Sequence, residues 1–185
     1  MIQLMPHINV YHDVETTGLK PSEAHVVEVG CVYDIEGAQV GQFHSLCNPG
    51  EDAVRSIKAT EAFKVNKIDP EEVLRAPTVE YTADSLRYFE LQLFRTHFGR
   101  DVEPVFIRHA FNNGFDKGFL SRVPWALMEH WGECVMLRAR DVLNPGGKWL
   151  SLDVVRLRLG LEWEGQAHRA LEDAKMARLV HQRLR

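Results

Sequence analysis

A chain of 185 residues, 45% of them hydrophobic and 26% charged, has the size of one domain, can bury a single core, and lacks the long like-charge runs of a disordered protein. Its net charge of −4 is uneven, with 12 Lys+Arg against 19 Asp+Glu up to His130 and 10 against 7 beyond, so bulk charge alone does not mark a nucleic-acid partner. No apolar run reaches the roughly 18 residues of a membrane span, and the stretch Met1 to His7 lacks a basic segment followed by a long apolar run, so no targeting segment is expected, while Cys31, Cys47 and Cys134 are too widely spaced for a disulfide framework or a cysteine zinc site.

The expectation is one domain over residues 1–185, in the cytoplasm, with reduced thiols. Ile8 to Glu15 and much of His25 to Asp34 alternate apolar and polar residues, and Val40 to Cys47 is a third extended run, so three strands open the chain. Asp34-Ile35-Glu36-Gly37 has the composition of a tight turn and makes the second and third strands a hairpin. Asn48-Pro49-Gly50 ends this sheet segment. Asp69-Pro70-Glu71-Glu72 reads as a helix start: a capping Asp, Pro at the first helical position and Glu three residues after the cap. Apolar positions at spacings of three and four predict a helix packed on the sheet from about Thr78 to Phe98.

Pro104 to His109 reads as a buried strand, Asn112-Asn113-Gly114 as a break, and Phe115 to Arg122 as a helix carrying Asp116 near its start. Cys134 to Leu137 is expected as a fifth strand, Ser151 as the cap of a helix through Leu159, and Arg169 to Arg183 as a last amphipathic helix. A hairpin followed by strands joined through helices implies an α/β fold, a mixed five-stranded sheet with helices on both faces. Arg138, Arg140, Lys148, Arg156 and Arg158 are as readily solvated helix faces as a rim for phosphates.

Asp13-Val14-Glu15-Thr16-Thr17-Gly18 closes the first strand, where side chains two apart share a face. Carboxylates held side by side repel unless cations or hydrogen bonds offset them, and hard oxygen donors suit Mg²⁺ or Mn²⁺. Taken alone, such a pair is commonly a solvated strand end. Asp116 follows a strand, where open α/β sheets place their sites, although alone it is an ordinary helix-start acid. His168 and Asp173 would be turned about 140° apart on one regular helix. They converge only if the helix starts after His168 and a loop returns the imidazole toward Asp173, which is the arrangement expected here, with Glu172 as the nearest decoy.

Together these segments resemble the DnaQ-like, DEDDh 3′→5′ exonuclease superfamily from the first strand to the last helix. Asp13-x-Glu15-Thr16-Thr17-Gly18 is similar to its first motif, Asn112-x-x-Phe115-Asp116-x-x-Phe119-Leu120 to its second, and His168-x-Ala170-x-x-Asp173-Ala174 to its third. Phe111, where many members carry His, and Asn113, where a small residue is usual, depart from the pattern without removing a catalytic position. The resemblance implies an RNase H-like fold, with Asp13, Glu15, Asp116 and Asp173 holding two divalent cations, Mg²⁺ or Mn²⁺, and His168 as general base. It implies Thr16, Thr17, Leu19, Asn112 and Phe115 as contacts of the terminal nucleotide, and two-metal hydrolysis from the 3′ end to nucleoside 5′-monophosphates.

Single-stranded DNA is the favoured substrate. RNA ends, as in oligoribonuclease-like or RNase T-like relatives, and a non-catalytic nucleic-acid-binding polymerase subunit are the alternatives. No membrane partner is expected, and a homodimer or a polymerase or repair partner is left open. His12 is expected to face away from Asp13 on the alternating strand and His109 to pack at a strand end, which leaves His168 as the base.

Overall fold

The computed structural model describes residues 5–127 and 130–185, with backbone alone at positions 57 and 58. In chain order the elements are β1 (Ile8–Thr16), β2 (Val26–Ile35), β3 (Ala38–Leu46), α1 (Glu51–Val54), α2 (Ile57–Asn66), α3 (Pro70–Arg75), α4 (Val79–Phe98), β4 (Phe106–Ala110), α5 (Asn113–Leu120), α6 (Val135–Leu143), α7 (Leu152–Arg158) and α8 (Ala170–Arg183). The sheet runs β3-β2-β1-β4. β2 is antiparallel to both of its neighbours, and β1 is parallel to β4.

Local chemistry explains the boundaries. The β2–β3 hairpin turns on Glu36 and Gly37, whose φ angles of 52° and 92° are both positive, as a two-residue reversal matched to strand twist requires. Asp34 Oδ1 accepts the Gly37 N–H at 2.8 Å and holds that turn. Ser56, Asp69, Thr78 and Ser151 cap α2, α3, α4 and α7 through their side-chain oxygens, each worth about 1 kcal/mol.

Strand alternation then sorts two faces. Ile8, Val10 and Val14 of β1 pack with Val29, Cys31 and Tyr33 of β2 against Leu86 and Phe94 of α4; fully burying side chains of this kind contributes roughly 1.5–3 kcal/mol each. The other face belongs to α8, which crosses β2 in register. Arg169 meets Glu28, the start of the helix rides over Gly30, Ala174 packs with Val32, and Arg178 pairs with Asp34. Covered on both sides, β2 is buried along nearly its whole length.

The sheet has four strands among the described residues, not five. The expected strand at Cys134–Leu137 is the start of α6. Val135, Ala139 and Leu143, four residues apart, turn to one side and join the cluster formed with Val155, Met176 and Val180. A short apolar run of this kind satisfies either period, and packing decides for the helix. Strand-like pairing occurs just upstream, where Trp131 makes an isolated parallel bridge to Arg108. Cys31 and Cys47 are buried and Cys134 is part-exposed, all three as free thiols. Among the described residues no helix is long and apolar enough to cross a membrane.

Candidate active site

Three separate segments bring their acids together. Asp13 and Glu15, two apart on β1, point to the α8 face, and Asp173 comes down from the first turn of α8. Each offers a carboxylate oxygen, and these three atoms lie within 4.8 Å of one another. Asp116 joins from α5 for a reason rooted in the sheet. β4 pairs with β1 only as far as His12 opposite Ala110, so the Val14 N–H lies past the end of that ladder, and Asp116 Oδ1 accepts it at 3.2 Å.

α8 begins at Ala170, so His168 lies outside the helix, in an exposed left-handed conformation with φ 62°. Its backbone N–H donates to Asp173 Oδ1 at 3.1 Å, which ties the histidine to the helical acid across five residues. The decoy Glu172 is engaged elsewhere, paired with Lys175 at 2.8 Å.

The electrostatics of the cluster are those of carboxylates crowded in a poorly solvated place. Burial, then repulsion from Asp116, Asp173 and Glu15, pushes Asp13 well above the usual carboxylate range. Burial and the charge of Asp173 push Glu15 up to about 8, opposed by a hydrogen bond from Asn66. Burial raises Asp116 to about 8. Asp173, also raised by burial but relieved by the His168 amide and charge, comes to about 6. Glu15 and Asp116, at about 8, keep protons at neutrality, and all four acids are held above the usual carboxylate range; a divalent cation replaces the proton with a larger charge. The donors are all hard oxygens, so the set fits Mg²⁺ or Mn²⁺.

Around this cluster, the other expected contacts have definite places. Thr16 and Thr17 are buried, and their hydroxyls serve the turn: Thr16 Oγ1 donates to Gly18 O at 2.7 Å, and Thr17 Oγ1 accepts the His25 N–H at 3.0 Å. Leu19 is 83% exposed. It lines an open groove of about 610 Å³ with Ala24 and, from α2, Ala62 and Val65. Asn112 is the exposed N-cap of α5, and Phe115 is half-buried against Phe119 at 5.1 Å between ring centroids.

The rival bases are occupied. His12 is buried on the α4 face; the Arg108 guanidinium, able only to donate, gives a hydrogen bond to Nε2 at 3.0 Å, so Nδ1 carries the proton toward Cys31 Sγ. Burial and the adjacent Arg108 charge hold its pKa well below the ordinary value. His109 is buried against Tyr11 at 5.2 Å, and burial lowers it to about 4. Most of the basic residues weighed as a phosphate rim are spent internally. Arg138 donates to Leu184 O, Arg158 to Leu143 O, and Arg156 and Arg140 pair with Asp153 and Asp141.

Several supporting residues escaped sequence reasoning. Glu28 on β2 stands opposite Glu15 and is fully buried. Burial opposes its charge, but hydrogen bonds from His44, Arg169 and the Ala170 N–H hold it below the usual carboxylate range. A charged residue inside the Val26–Val29 apolar run was the one available signal. Gly30 had none: a Cβ there would lie 2.3 Å from Ala170 C and Leu171 N. Asn113, one of the two departures from the motif, is structural, accepting from Ala110 N at 2.7 Å and donating to Gly132 O at 2.9 Å.

A family model described as exonuclease, of the RNase T type, matches residues 10–180. The chain belongs to this exonuclease family. No curated protein matches the chain significantly. Among solved structures, Escherichia coli Exonuclease I in complex with a dT13 oligonucleotide superposes with a TM-score of 0.72 at 17% identity, over 96% of this chain and 40% of that one. A moderately thermophilic Exonuclease I from Methylocaldum szegediense gives 0.68 at 21% identity, over 97% of this chain and 40% of that one. Product-bound exonuclease I gives 0.72 at 16% identity, over 97% and 43%. This exonuclease-family chain therefore spans about two fifths of those chains and shares their RNase H-like, DnaQ-like fold.

Proposed function

We propose that the chain is a 3′→5′ exonuclease of single-stranded DNA that works with two divalent cations, Mg²⁺ or Mn²⁺, held by Asp13, Glu15, Asp116 and Asp173. One observation carries the reading: acids from β1 and α8, at opposite ends of the sequence, converge within 4.8 Å although burial and mutual repulsion oppose it. When bound there, such cations stabilise the negative charge that develops on a phosphodiester undergoing displacement.

The chain's own groups do the rest. His168 takes a proton from the attacking water onto an imidazole nitrogen, and its exposed position before α8 leaves the ring reachable from solvent. With the Thr16 and Thr17 hydroxyls committed inside the turn, the turn presents backbone groups to the terminal nucleotide. Leu19 and Phe115 offer apolar surface to its base and sugar, and Asn112 an amide. Water attacks phosphorus, the bond to the preceding 3′ oxygen breaks, and a nucleoside 5′-monophosphate leaves a shortened strand with a free 3′ hydroxyl. The single-stranded DNA reading is supported by the E. coli Exonuclease I complexes with dT13 and dA16 oligonucleotides.

The test is a time course on matched 5′-labelled single-stranded DNA and RNA with Mg²⁺, Mn²⁺ or EDTA. A metal-dependent ladder shortening from the 3′ end, faster on DNA, is expected. Faster digestion of RNA would make the chain an exoribonuclease. Binding of either strand without any ladder would make it a non-catalytic subunit.

A further inference from the structure

The passage from His168 to Ala170 is anchored to the sheet by one residue. Arg169 donates from Nε and Nη2 to Glu28 Oε1 at 3.0 and 2.8 Å, and Nε also reaches Oε2 at 3.2 Å. The next amide, Ala170 N–H, donates to the same Oε2 at 3.2 Å. Glu28 is itself fixed, with a fully buried side chain and a 2.6 Å contact from His44 Nε2 on β3. On either side of this anchor stand the His168 left-handed backbone and the Asp173 carboxylate, joined by the His168 N–H. A left-handed histidine is a strained choice for an L residue and persists only where its neighbours hold it.

We infer that Arg169 is a positioning residue for the hydrolytic reaction, acting through Glu28 to hold His168 and Asp173 in one fixed relation to Asp13 and Glu15. The inference rests on the exonuclease reading above. In this role Arg169 acts through Glu28, to which the Nε and Nη2 side of its guanidinium is committed. Its geometry also explains why a lysine is a poor replacement, since a single ammonium cannot make the two-pronged contact that fixes the direction of the backbone. Nor is Glu28 a fifth ligand here, because Arg169, His44 and the Ala170 amide consume its oxygens.

The test combines Arg169→Ala and Arg169→Lys, each alone and with His168→Ala, and reads kcat and KM on a short single-stranded DNA. Mn²⁺ affinity, measured by calorimetry without substrate, is the second readout. Arg169→Ala is expected to lower kcat about 10- to 100-fold and to weaken Mn²⁺ binding by about tenfold, as loss of an outer-shell partner does. KM stays within about threefold, and Arg169→Ala costs less once His168 is gone, because the part of its effect that runs through the imidazole has already been lost.

Arg169→Lys falls between the two and supplies the measurement should the alanine variant fail to fold. Fully multiplicative losses in the double variants would overturn the inference, as would wild-type Mn²⁺ affinity in both single variants. A rise in KM with kcat unchanged would instead assign Arg169 to a substrate phosphate. Absence of turnover in the wild-type chain would count against the exonuclease reading, and the Mn²⁺ comparison would still judge Arg169.

Discussion

Gly30→Ala perturbs the site without touching any acid in it. The added Cβ would lie 2.3 Å from Ala170 C and Leu171 N, against 3.4 Å for ordinary contact, so the start of α8 must retreat by roughly 1 Å. The atoms met are backbone on both sides, and β2 cannot move away because β1 and β3 flank it. Overpacking of this kind costs about 1–3 kcal/mol, or about 2–4 °C in Tm for each kcal/mol in a chain of this size.

The catalytic cost is expected to be larger, because Asp173 rides on the displaced turn and an error of about 1 Å in a reacting geometry can cost about 10²-fold. The assay is initial rate per folded molecule, beside thermal melts. Leu86→Ala is the control, losing about 2–5 kcal/mol from the α4 face without moving α8. Gly30→Ala melting lower yet turning over at the Leu86→Ala rate would refute the claim that close helix–strand contact places Asp173.

Two further outcomes follow from the charges. In cation-free buffer Glu15 and Asp116 keep protons to about 8 and Asp173 to about 6, above their unfolded values of about 4. The stability they contribute is therefore complete below about pH 4 and is lost as pH rises through the folded values. Because Mn²⁺ replaces those protons, its stabilising shift in Tm should be larger at pH 8 than at pH 6; equal shifts would argue against a carboxylate site. On the opposite face, Glu90→Ala strands the buried Arg108 charge, which Glu90 meets at 2.8 and 2.9 Å. A loss of about 3–5 kcal/mol is expected in urea melts with unchanged activity per folded molecule. A disproportionate activity loss would bring His12 and its network into the chemistry.

What could be read from the sequence was whatever depends on local order. The Asp13–Glu15 spacing set both acids on one face, alternation turned His12 to the other, Asp69 and Ser151 announced their helices, and apolar spacing marked α4. The helix start after His168 followed from the need for convergence. What stayed hidden depends on contacts far apart in sequence. Glu28 reaches Arg169, and Gly30 matters only because α8 lies on it. The α6 error has the same origin: Val135 and Ala139 become a helical face only once Val155 and Val180 stand opposite. Asn113 read as a break residue, yet it stitches β4 to the loop at Gly132.

We propose that convergence of acids from β1, α5 and α8 creates the divalent-cation site that drives hydrolysis. It is tested most directly by titrating Mn²⁺ into wild-type and Asp13→Ala protein while following both calorimetric binding and release of mononucleotide from a single-stranded DNA. Binding and turnover are expected to rise together in the wild type and to be lost together in Asp13→Ala. Turnover that persists in Asp13→Ala after Mn²⁺ binding has gone would contradict it.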